Sequence, residues 1–556
     1  MDMFCYQCSE ALNQKGCTVK GVCGKEPDVA NLLDLLIWNL KGISYWAKRA
    51  RKFHITDTEV DLFVAEGLFT SITNVNFDPE SIAEKIERAI EMKKRIRDKL
   101  LEKFEEKSGK KYDEDIPEPA KWESKRNLQD WINKGKNIGV FDTKNDDIRS
   151  LREFLTYGLK GIAAYADHAY ILNETNDDIL HFLEDGLEST IDDSLKVDDY
   201  VGLIMKTGKY AVEVMDLLDN ANTSAYGNPE LTQVFTGTVE GPGILVSGHD
   251  LLDLKELLEQ TENAGVNVYT HGEMLPANAY PKLKKYEHLI GNYGGSWYKQ
   301  QKEFSDFNGA ILMTTNCIQK PLDNYKDRIF TTGLVGWPGV KHIPNRTDGK
   351  SKDFTRVIEK AKEMGSLKKR EGKNIPIGFG HAQIDEFADK IIEFVKSGKI
   401  KRFFVMGGCD GRFKERGYYT ELAKKLPRDA VILTAGCAKY RYNMLDFGDI
   451  EGIPRVIDAG QCNDSYSLVK TALKLKEAFN LEDINELPIS YDIAWYEQKA
   501  VTVLLALLYV GVKGIRLGPV LPAFISPNVL DILVDKFDIK PIGTVEEDLK
   551  MMFKGK

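Results

Sequence analysis

Six short apolar runs in the rear half of this chain each stop at a residue that can bind a metal. GILVSGH (243–249) ends at His249, NVYTHGE (267–273) at Glu273 and GAILMTTNC (309–317) at Cys317. RFFVMGGC (402–409) ends at Cys409, AVILTAGC (430–437) at Cys437 and PRVIDAGQC (454–462) at Cys462. The runs are rich in β-branched residues and alternate with amphipathic segments, which is the pattern of a parallel sheet with crossover helices. Open sheets of this kind collect ligands outside the carboxyl ends of their strands. A lone buried cysteine is usually a small hydrophobe, and a lone histidine is usually a satisfied core residue. All four cysteines of the rear half fall at strand ends, however, which points to one shared metal site. SYDIAWYEQKAVTVLLALL (490–508) adds Glu497 and Lys499 at the start of an apolar helix. A carboxylate there also suits the positive end of a helix.

The other four cysteines, Cys5, Cys8, Cys17 and Cys23, open the chain with the spacing C-x2-C-x8-C-x5-C. A C-x2-C pair sets two thiols on one turn, within reach of one centre, and Gly16, Gly21 and Gly24 let the backbone fold tightly around it. Disulfides, structural zinc and an iron–sulfur cluster all compete for such a set. Residues 1–10 carry no apolar secretion segment, and the longest apolar run, 500–512, has 13 residues, short of a membrane span. The chain therefore reads as cytoplasmic, where clustered cysteines more often bind metal or do redox chemistry than pair as disulfides. Zinc sites with four cysteines usually show two short hooks, and here the second is looser. Four thiolates on an iron–sulfur cluster fit the spacing.

Between the two groups of cysteines the texture is helical and repeated. NLLDLLIWNLKGISYWAKRARKF (31–53) reappears as RSLREFLTYGLKGIAAYADHAYIL (149–172) at a constant offset of 119. Lys41-Gly42-Ile43 matches Lys160-Gly161-Ile162, and Gly67-Leu68 matches Gly186-Leu187. Thr56 and Thr175 are each followed three residues later by an acid, as in a capping box. This predicts two helical bundles built by duplication, separated by a charge-rich stretch over 80–135 that holds a helix (IAEKIERAIEMKKRIRDKLLEKF) with a solvated charged face and then an irregular segment with Pro117 and Pro119. The whole chain then reads as three domains: cysteine cluster and bundles over 1–226, and two Rossmann-like α/β domains over 227–380 and 381–556.

With these residues in view, the chain resembles the hybrid cluster protein family, also called the prismane or hydroxylamine reductase family. The resemblance covers essentially all 556 residues. It is carried by the N-terminal cysteine spacing, GHDLLDLKELLEQTENAGVNVYTHGEMLPA (248–277), TTNCI (314–318), VMGGCDGR (405–412), TAGCAKYRYN (434–443), DAGQCNDSYS (458–467) and WYEQKA (495–500). It implies an α plus α/β multidomain fold with carbon monoxide dehydrogenase-like architecture. It implies a [4Fe–4S] cluster on Cys5, Cys8, Cys17 and Cys23. It implies a hybrid [4Fe–2O–2S] cluster on His249, Glu273, Cys317, Cys409, Cys437, Cys462 and Glu497, with Lys499 beside the bridging oxygens. Cys409 corresponds to the family's persulfide cysteine. The mixed set is chemically sensible, because thiolates suit sulfide-bridged iron while carboxylate and imidazole suit harder, oxygen-bridged iron.

The activity so implied is reduction of hydroxylamine to ammonia and water, with Cys409, Glu497 and Lys499 at the reacting centre and electrons entering through the N-terminal cluster. Reduction of nitric oxide is one alternative, and a role in nitrosative stress by S-nitrosylating partner proteins is another. Nickel–iron carbon monoxide dehydrogenases share the architecture, but the chain has no second cluster of N-terminal type. The net charge of −9 excludes a general nucleic-acid footprint, and no membrane contact is expected. No G-x-G-x-x-G follows a strand, so no nucleotide is expected, and electrons must come from a separate donor protein. A monomer is expected.

Overall fold

The computed structural model describes residues 2–347 and 349–554. Its front half holds α1 (Pro27–Arg51), α2 (Thr58–Thr70) and α3 (Pro79–Ser108), then α4 (Asp146–Ile171), α5 (Asp177–Ser189) and α6 (Val197–Tyr226). The starts of α1 and α4, and of α2 and α5, are 119 residues apart, so the sequence repeat is a structural one. The repeat extends further than the sequence showed. Helices α3 and α6 are both 30 residues long and begin 118 residues apart. The charged stretch assigned to a connection therefore opens with the third helix of the first bundle, whose apolar stripe is buried while its charges face water.

Two repeated glycines explain themselves. A Cβ on Gly67 would lie 2.8 Å from the Leu40 side chain, and one on Gly186 would lie 2.8 Å from Leu159, the equivalent leucine. The predicted capping boxes do not form, and the N-cap of each helix lies one residue later than expected. The caps are Asp57 and Asn176: the Asn176 side chain accepts from the backbone N–H of Asp178 and Ile179, while Asp57 is turned to Arg95 and Lys99. An amide one position on offers the same acceptor to the helix start.

The rear half holds two six-stranded sheets, parallel throughout. The first comprises β1 (Gly243–Ser247), β2 (Asn267–His271), β3 (Leu289–Asn292), β4 (Ala310–Met313), β5 (Ile329–Thr332) and β6 (Lys341–Ile343), in the order β3-β2-β1-β4-β5-β6. The second comprises β7 (Arg402–Gly408), β8 (Ala430–Thr434), β9 (Val456–Asp458), β10 (Ile489–Ala494), β11 (Arg516–Gly518) and β12 (Lys540–Pro541), in the order β9-β8-β7-β10-β11-β12. All six strands expected from the apolar runs are present. Strand β10, at the centre of the second sheet, was not anticipated. Its polar Ser490 and Asp492 break the apolar run, and the buried Asp492 accepts from Tyr418 at 3.0 Å with Arg516 nearby.

Helix α7 (Gln498–Tyr509) follows β10 and is buried over nearly its whole length. It packs on α4 and α6, where Thr502 Oγ1 donates to the carbonyl of Gly158 at 2.8 Å. One continuous apolar core consequently runs from both bundles into the second sheet, while the first sheet has its own. Among the described residues no helix is long and apolar enough to cross a membrane.

Candidate metal centre

The carboxyl ends of the two sheets face each other. Gln461, in the turn after β9, donates through Nε2 to the carbonyls of His249 (3.1 Å) and Glu273 (2.9 Å), which follow β1 and β2. Tyr440, after β8, donates to the carbonyl of Gly272 at 2.7 Å. Between these ends lies one cavity lined by His249, Glu273, Cys317, Cys409, Cys437, Cys462 and Glu497. Every strand-end residue singled out from the sequence is in that lining. Lys499 is completely buried just beside it, its Nζ 2.8 Å from Asn316 Oδ1, 3.0 Å from His249 Nε2 and 3.5 Å from Glu497 Oε1. The tightest convergence is on His249, whose Nε2 lies 3.8 Å from Glu273 Oε2 and 3.9 Å from Cys462 Sγ.

The local backbone dictates this placement. Gly248 (φ +119°) and Gly408 (φ +101°) turn the chain sharply after β1 and at the end of β7. A Cβ on Gly408 would stand 2.1 Å from the carbonyl oxygen of Ala494, so only glycine lets β7 deliver Cys409 beside β10. Glu497 is the N-cap of α7 and accepts the Lys499 backbone N–H at 2.7 Å. Its capping role and its place in the cavity coexist, because one carboxylate oxygen serves the helix and the other accepts from Asn316 at 3.3 Å.

The electrostatics ask for positive charge. Four thiols, two carboxylates and an imidazole share a buried chamber with Lys499 beside it, Lys439 near Glu273 and Arg416 donating to the Cys409 carbonyl at 3.1 Å. Burial pushes the Cys317 and Cys437 thiols far up, raises Cys462, and lifts Cys409 to about 12. Burial also raises Glu273 and drives His249 far below its usual range. The ammonium of Lys499 is pulled down by burial but held above its ordinary value by Glu497 and the nearby thiols. Glu273 Oε1 is buried with no hydrogen-bond partner among the described residues, an arrangement that is costly unless something binds it. Cationic iron on these thiolates and carboxylates would supply the missing charge and partner, so the donor set fits a cluster of mixed sulfur and oxygen character.

Several supporting residues had no sequence signal. Tyr165 of α4 donates to Cys462 Sγ at 3.2 Å, from the opposite half of the chain. Thr315 Oγ1 sits 2.9 Å from His249 Nδ1 and fixes the ring's orientation. Asn316 holds both Lys499 and Glu497. Only Asn316 and Thr315, inside TTNCI, stood next to a residue already suspected.

The N-terminal cysteines fold beside this chamber. Cys5 and Cys17 exchange backbone hydrogen bonds (3.0 and 2.8 Å), and a turn from Gly21 to Lys25 presents Cys23. Burial raises the Cys5, Cys8 and Cys23 thiols, against which the ammonium of Lys25 is packed. Cys8 packs with Trp297, Tyr496 and Cys437, and the Ser9 N–H donates to the Tyr496 carbonyl at 3.0 Å. Two cysteine sets that are remote in sequence thus have Tyr496 as a common neighbour.

Comparison with known proteins agrees with this architecture. The family described as "Prismane/CO dehydrogenase family" matches residues 3–550. A protein of Kosmotoga olearia named hydroxylamine reductase is 71% identical over 556 residues, covering 100% of both chains. One of Thermosipho melanesiensis with the same name is 66% identical, covering 99% of this chain and 100% of its own. Among solved structures, carbon monoxide dehydrogenase IV of Carboxydothermus hydrogenoformans aligns with a TM-score of 0.57 at 16% identity, covering 97% of this chain and 89% of that one. At that identity the likeness speaks for the fold.

Proposed function

The chain belongs to the Prismane/CO dehydrogenase family, and from that premise we propose that it is an iron–sulfur oxidoreductase that reduces hydroxylamine to ammonia and water. The observation that carries the reading is the convergence of seven sulfur, oxygen and nitrogen donors from two sheets on one buried cavity. In this reading His249, Glu273, Cys317, Cys409, Cys437, Cys462 and Glu497 hold the hybrid cluster, and Cys5, Cys8, Cys17 and Cys23 hold a [4Fe–4S] cluster. When bound, the clusters supply electrons and a Lewis-acid centre for N–O cleavage.

The protein's own residues do the rest. The cavity is shielded: His249, Glu273, Cys437, Cys462 and Glu497 are at most 8% exposed, while Cys317 and Cys409 are partly exposed. Lys499 Nζ, fixed by Asn316 and Glu497, is the donor aimed at this space, and it is well placed to protonate a departing oxygen or nitrogen. Cys409, set by Gly408 and anchored by its N–H to the Ala494 carbonyl at 2.7 Å, presents its thiol in the cavity lining. Electrons are taken from a separate donor protein at the N-terminal cysteines, in a cytoplasmic monomer.

The test is elemental analysis and electron paramagnetic resonance of anaerobically purified protein, beside hydroxylamine-dependent oxidation of a reduced viologen dye. About eight iron atoms per chain, signals from two clusters and dye oxidation are expected. Stoichiometric zinc with little iron, or no dye oxidation by iron-loaded protein, would overturn it.

A further inference from the structure

Reducing hydroxylamine to ammonia and water takes up two electrons and two protons, so each turnover must bring protons into the buried cavity. Lys499 cannot fetch them. It is 0% exposed, and its partners His249, Asn316 and Glu497 are 7%, 1% and 3% exposed. A proton given up there must be replaced from elsewhere.

One line of side chains leads from the cavity to the surface. Ser247, the last residue of β1, lines the cavity. Its Oγ lies 2.9 Å from His271 Nδ1 at the end of β2. The other ring nitrogen, His271 Nε2, lies 3.0 Å from Glu303 Oε2. Ser247 is 3% and His271 0% exposed, but the Glu303 side chain is 18% exposed. Glu303 belongs to the short helix Gln300–Asp306 and is seated by the Gly295 N–H at 3.1 Å. Its seat exists because Gly294 has no side chain: a Cβ there would stand 2.7 Å from Glu303 Oε2 and 3.0 Å from the His271 ring.

We propose that Ser247, His271 and Glu303 form a proton relay that resupplies the cavity from solvent, a role that rests on the hydroxylamine-reducing reading. A proton taken from water by the Glu303 carboxylate passes to His271 Nε2. The ring releases its Nδ1 proton to Ser247 Oγ, and the hydroxyl releases its own into the cavity, to the substrate or to Lys499. One proton enters at Glu303 and one leaves at Ser247, with no change in electron count. Imidazole suits the middle position because each ring nitrogen can either donate or accept. Ser247 Oγ has no other hydrogen-bond partner among the described residues, so its O–H remains available to the cavity when Nδ1 donates to it. A simple strut between β1 and β2 needs neither the partly exposed carboxylate nor the hydroxyl at the cavity wall.

The test uses the iron-loaded, full-length protein. Glu303→Gln keeps an acceptor for the Gly295 N–H but cannot carry a proton, and Ser247→Ala removes only the inner hydroxyl. Both are expected to lower kcat about a hundredfold with KM for hydroxylamine, iron content and cluster spectra unchanged. The solvent deuterium effect on kcat should grow, added imidazole should recover part of the rate, and Glu303→Asp should retain activity. A second readout needs no substrate: reduction of the strand-end cluster by dithionite, followed by paramagnetic resonance, should slow more in D2O for the variants than for the unmodified protein. Unchanged kcat and deuterium effect in both variants would overturn the relay. So would loss of iron in Glu303→Gln with normal turnover in Ser247→Ala, which would mark the line as a strut. If the unmodified protein fails to reduce hydroxylamine, the activity reading falls, and the substrate-free measurement still decides the relay.

Discussion

Gly161→Ala is expected to loosen the protein at the point where the helical half holds the candidate metal centre. A Cβ at 161 would lie 2.0 Å from Thr502 Oγ1, 2.8 Å from Thr502 Cβ and 2.9 Å from the Gln498 carbonyl oxygen. Carbon contacts are comfortable near about 3.5–4.0 Å. Rotating the Thr502 hydroxyl away would forfeit its bond to the Gly158 carbonyl, worth about 1 kcal/mol. The Cβ and the carbonyl cannot rotate away, so α4 and α7 must separate. Overpacking of this kind costs about 1–3 kcal/mol. Alanine's better helix propensity returns about 1 kcal/mol, leaving a net loss of about 1–3 kcal/mol. Gly202→Ala is the internal control. It sits inside α6 with no atom within 4 Å of its would-be Cβ, so the same substitution should stabilise by about 0.5–1 kcal/mol. Gln498 lies between Glu497 and Lys499, so the displaced helix should also slow dye-linked turnover in Gly161→Ala and leave Gly202→Ala unaffected. The assay is anaerobic thermal unfolding followed by circular dichroism, with turnover measured alongside. The order of the midpoints is the informative quantity, since a large chain with bound clusters is not expected to unfold in two states. A Gly161→Ala midpoint equal to or above that of Gly202→Ala would refute the packing argument.

Cys8→Ser and Glu497→Gln should separate the two proposed clusters. The first should remove the [4Fe–4S] signal and slow turnover with a protein donor while part of the viologen-driven rate survives; the second should alter the strand-end cluster, abolish turnover with either donor and leave the [4Fe–4S] signal alone. Glu497→Gln turning over normally with its cluster intact would misplace the reacting centre. Lys93 offers a pH test away from both sites: burial pushes its ammonium down to about 7, with Glu123 and Glu118 opposing, while Nζ donates to Asn39 Oδ1 and the Pro119 carbonyl. Between about pH 7 and the ordinary lysine value the unfolded chain holds a proton that the folded one has released, so stability rises with pH in that window and is flat below it. Unmodified protein should therefore gain on Lys93→Met as pH rises above 7, and a pH-independent difference in unfolding midpoint would contradict this.

What the sequence disclosed followed from regular spacing. The apolar runs marked six strands because their ends carried cysteine, histidine or glutamate, and the repeat marked α1, α2, α4 and α5 because Lys-Gly-Ile and Gly-Leu recur in step. Strand β10 escaped because its buried polar residues depend on partners such as Tyr418, 74 residues away. Helix α3 was seen but not paired with α6, because their similarity lies in length and burial rather than in residue identity. Ser247 and His271 were in plain view two positions before His249 and Glu273. Ser247 and His271 are the last residues of β1 and β2, and ligands collect outside the carboxyl ends of such strands, so each was a candidate. Glu303 was not, since only the fold brings it to His271.

The duplication also explains why the two cysteine sets sit in such different surroundings. Helices α1 and α4 each present one face to a shared cavity of about 330 Å3. On α1 that face carries Asp34, Ile37, Trp38 and Lys41; on α4 the positions 119 residues later carry Glu153, Thr156, Tyr157 and Lys160. The spacing of three, four and seven residues is one helical stripe. In most bundles such a stripe is apolar and closes against its partner. Here each copy begins with an acid and ends with a lysine, and two such faces cannot be pressed together without stranding charge. The bundles instead keep room for several waters between them. Burial lifts Asp34 to about 7 and lowers Lys160 to about 8, so even these groups are only partly hydrated. Cys5 and Gln7 line the same cavity, and Lys160 Nζ donates to Gln7 Oε1 at 2.9 Å. An iron–sulfur cluster accepts an electron more readily where hydration and nearby cations offset the added negative charge. Cys5, at the wall of this hydrated cavity with the Lys160 ammonium on the same wall, has that setting, which supports the proposal that electrons enter at the N-terminal cysteines.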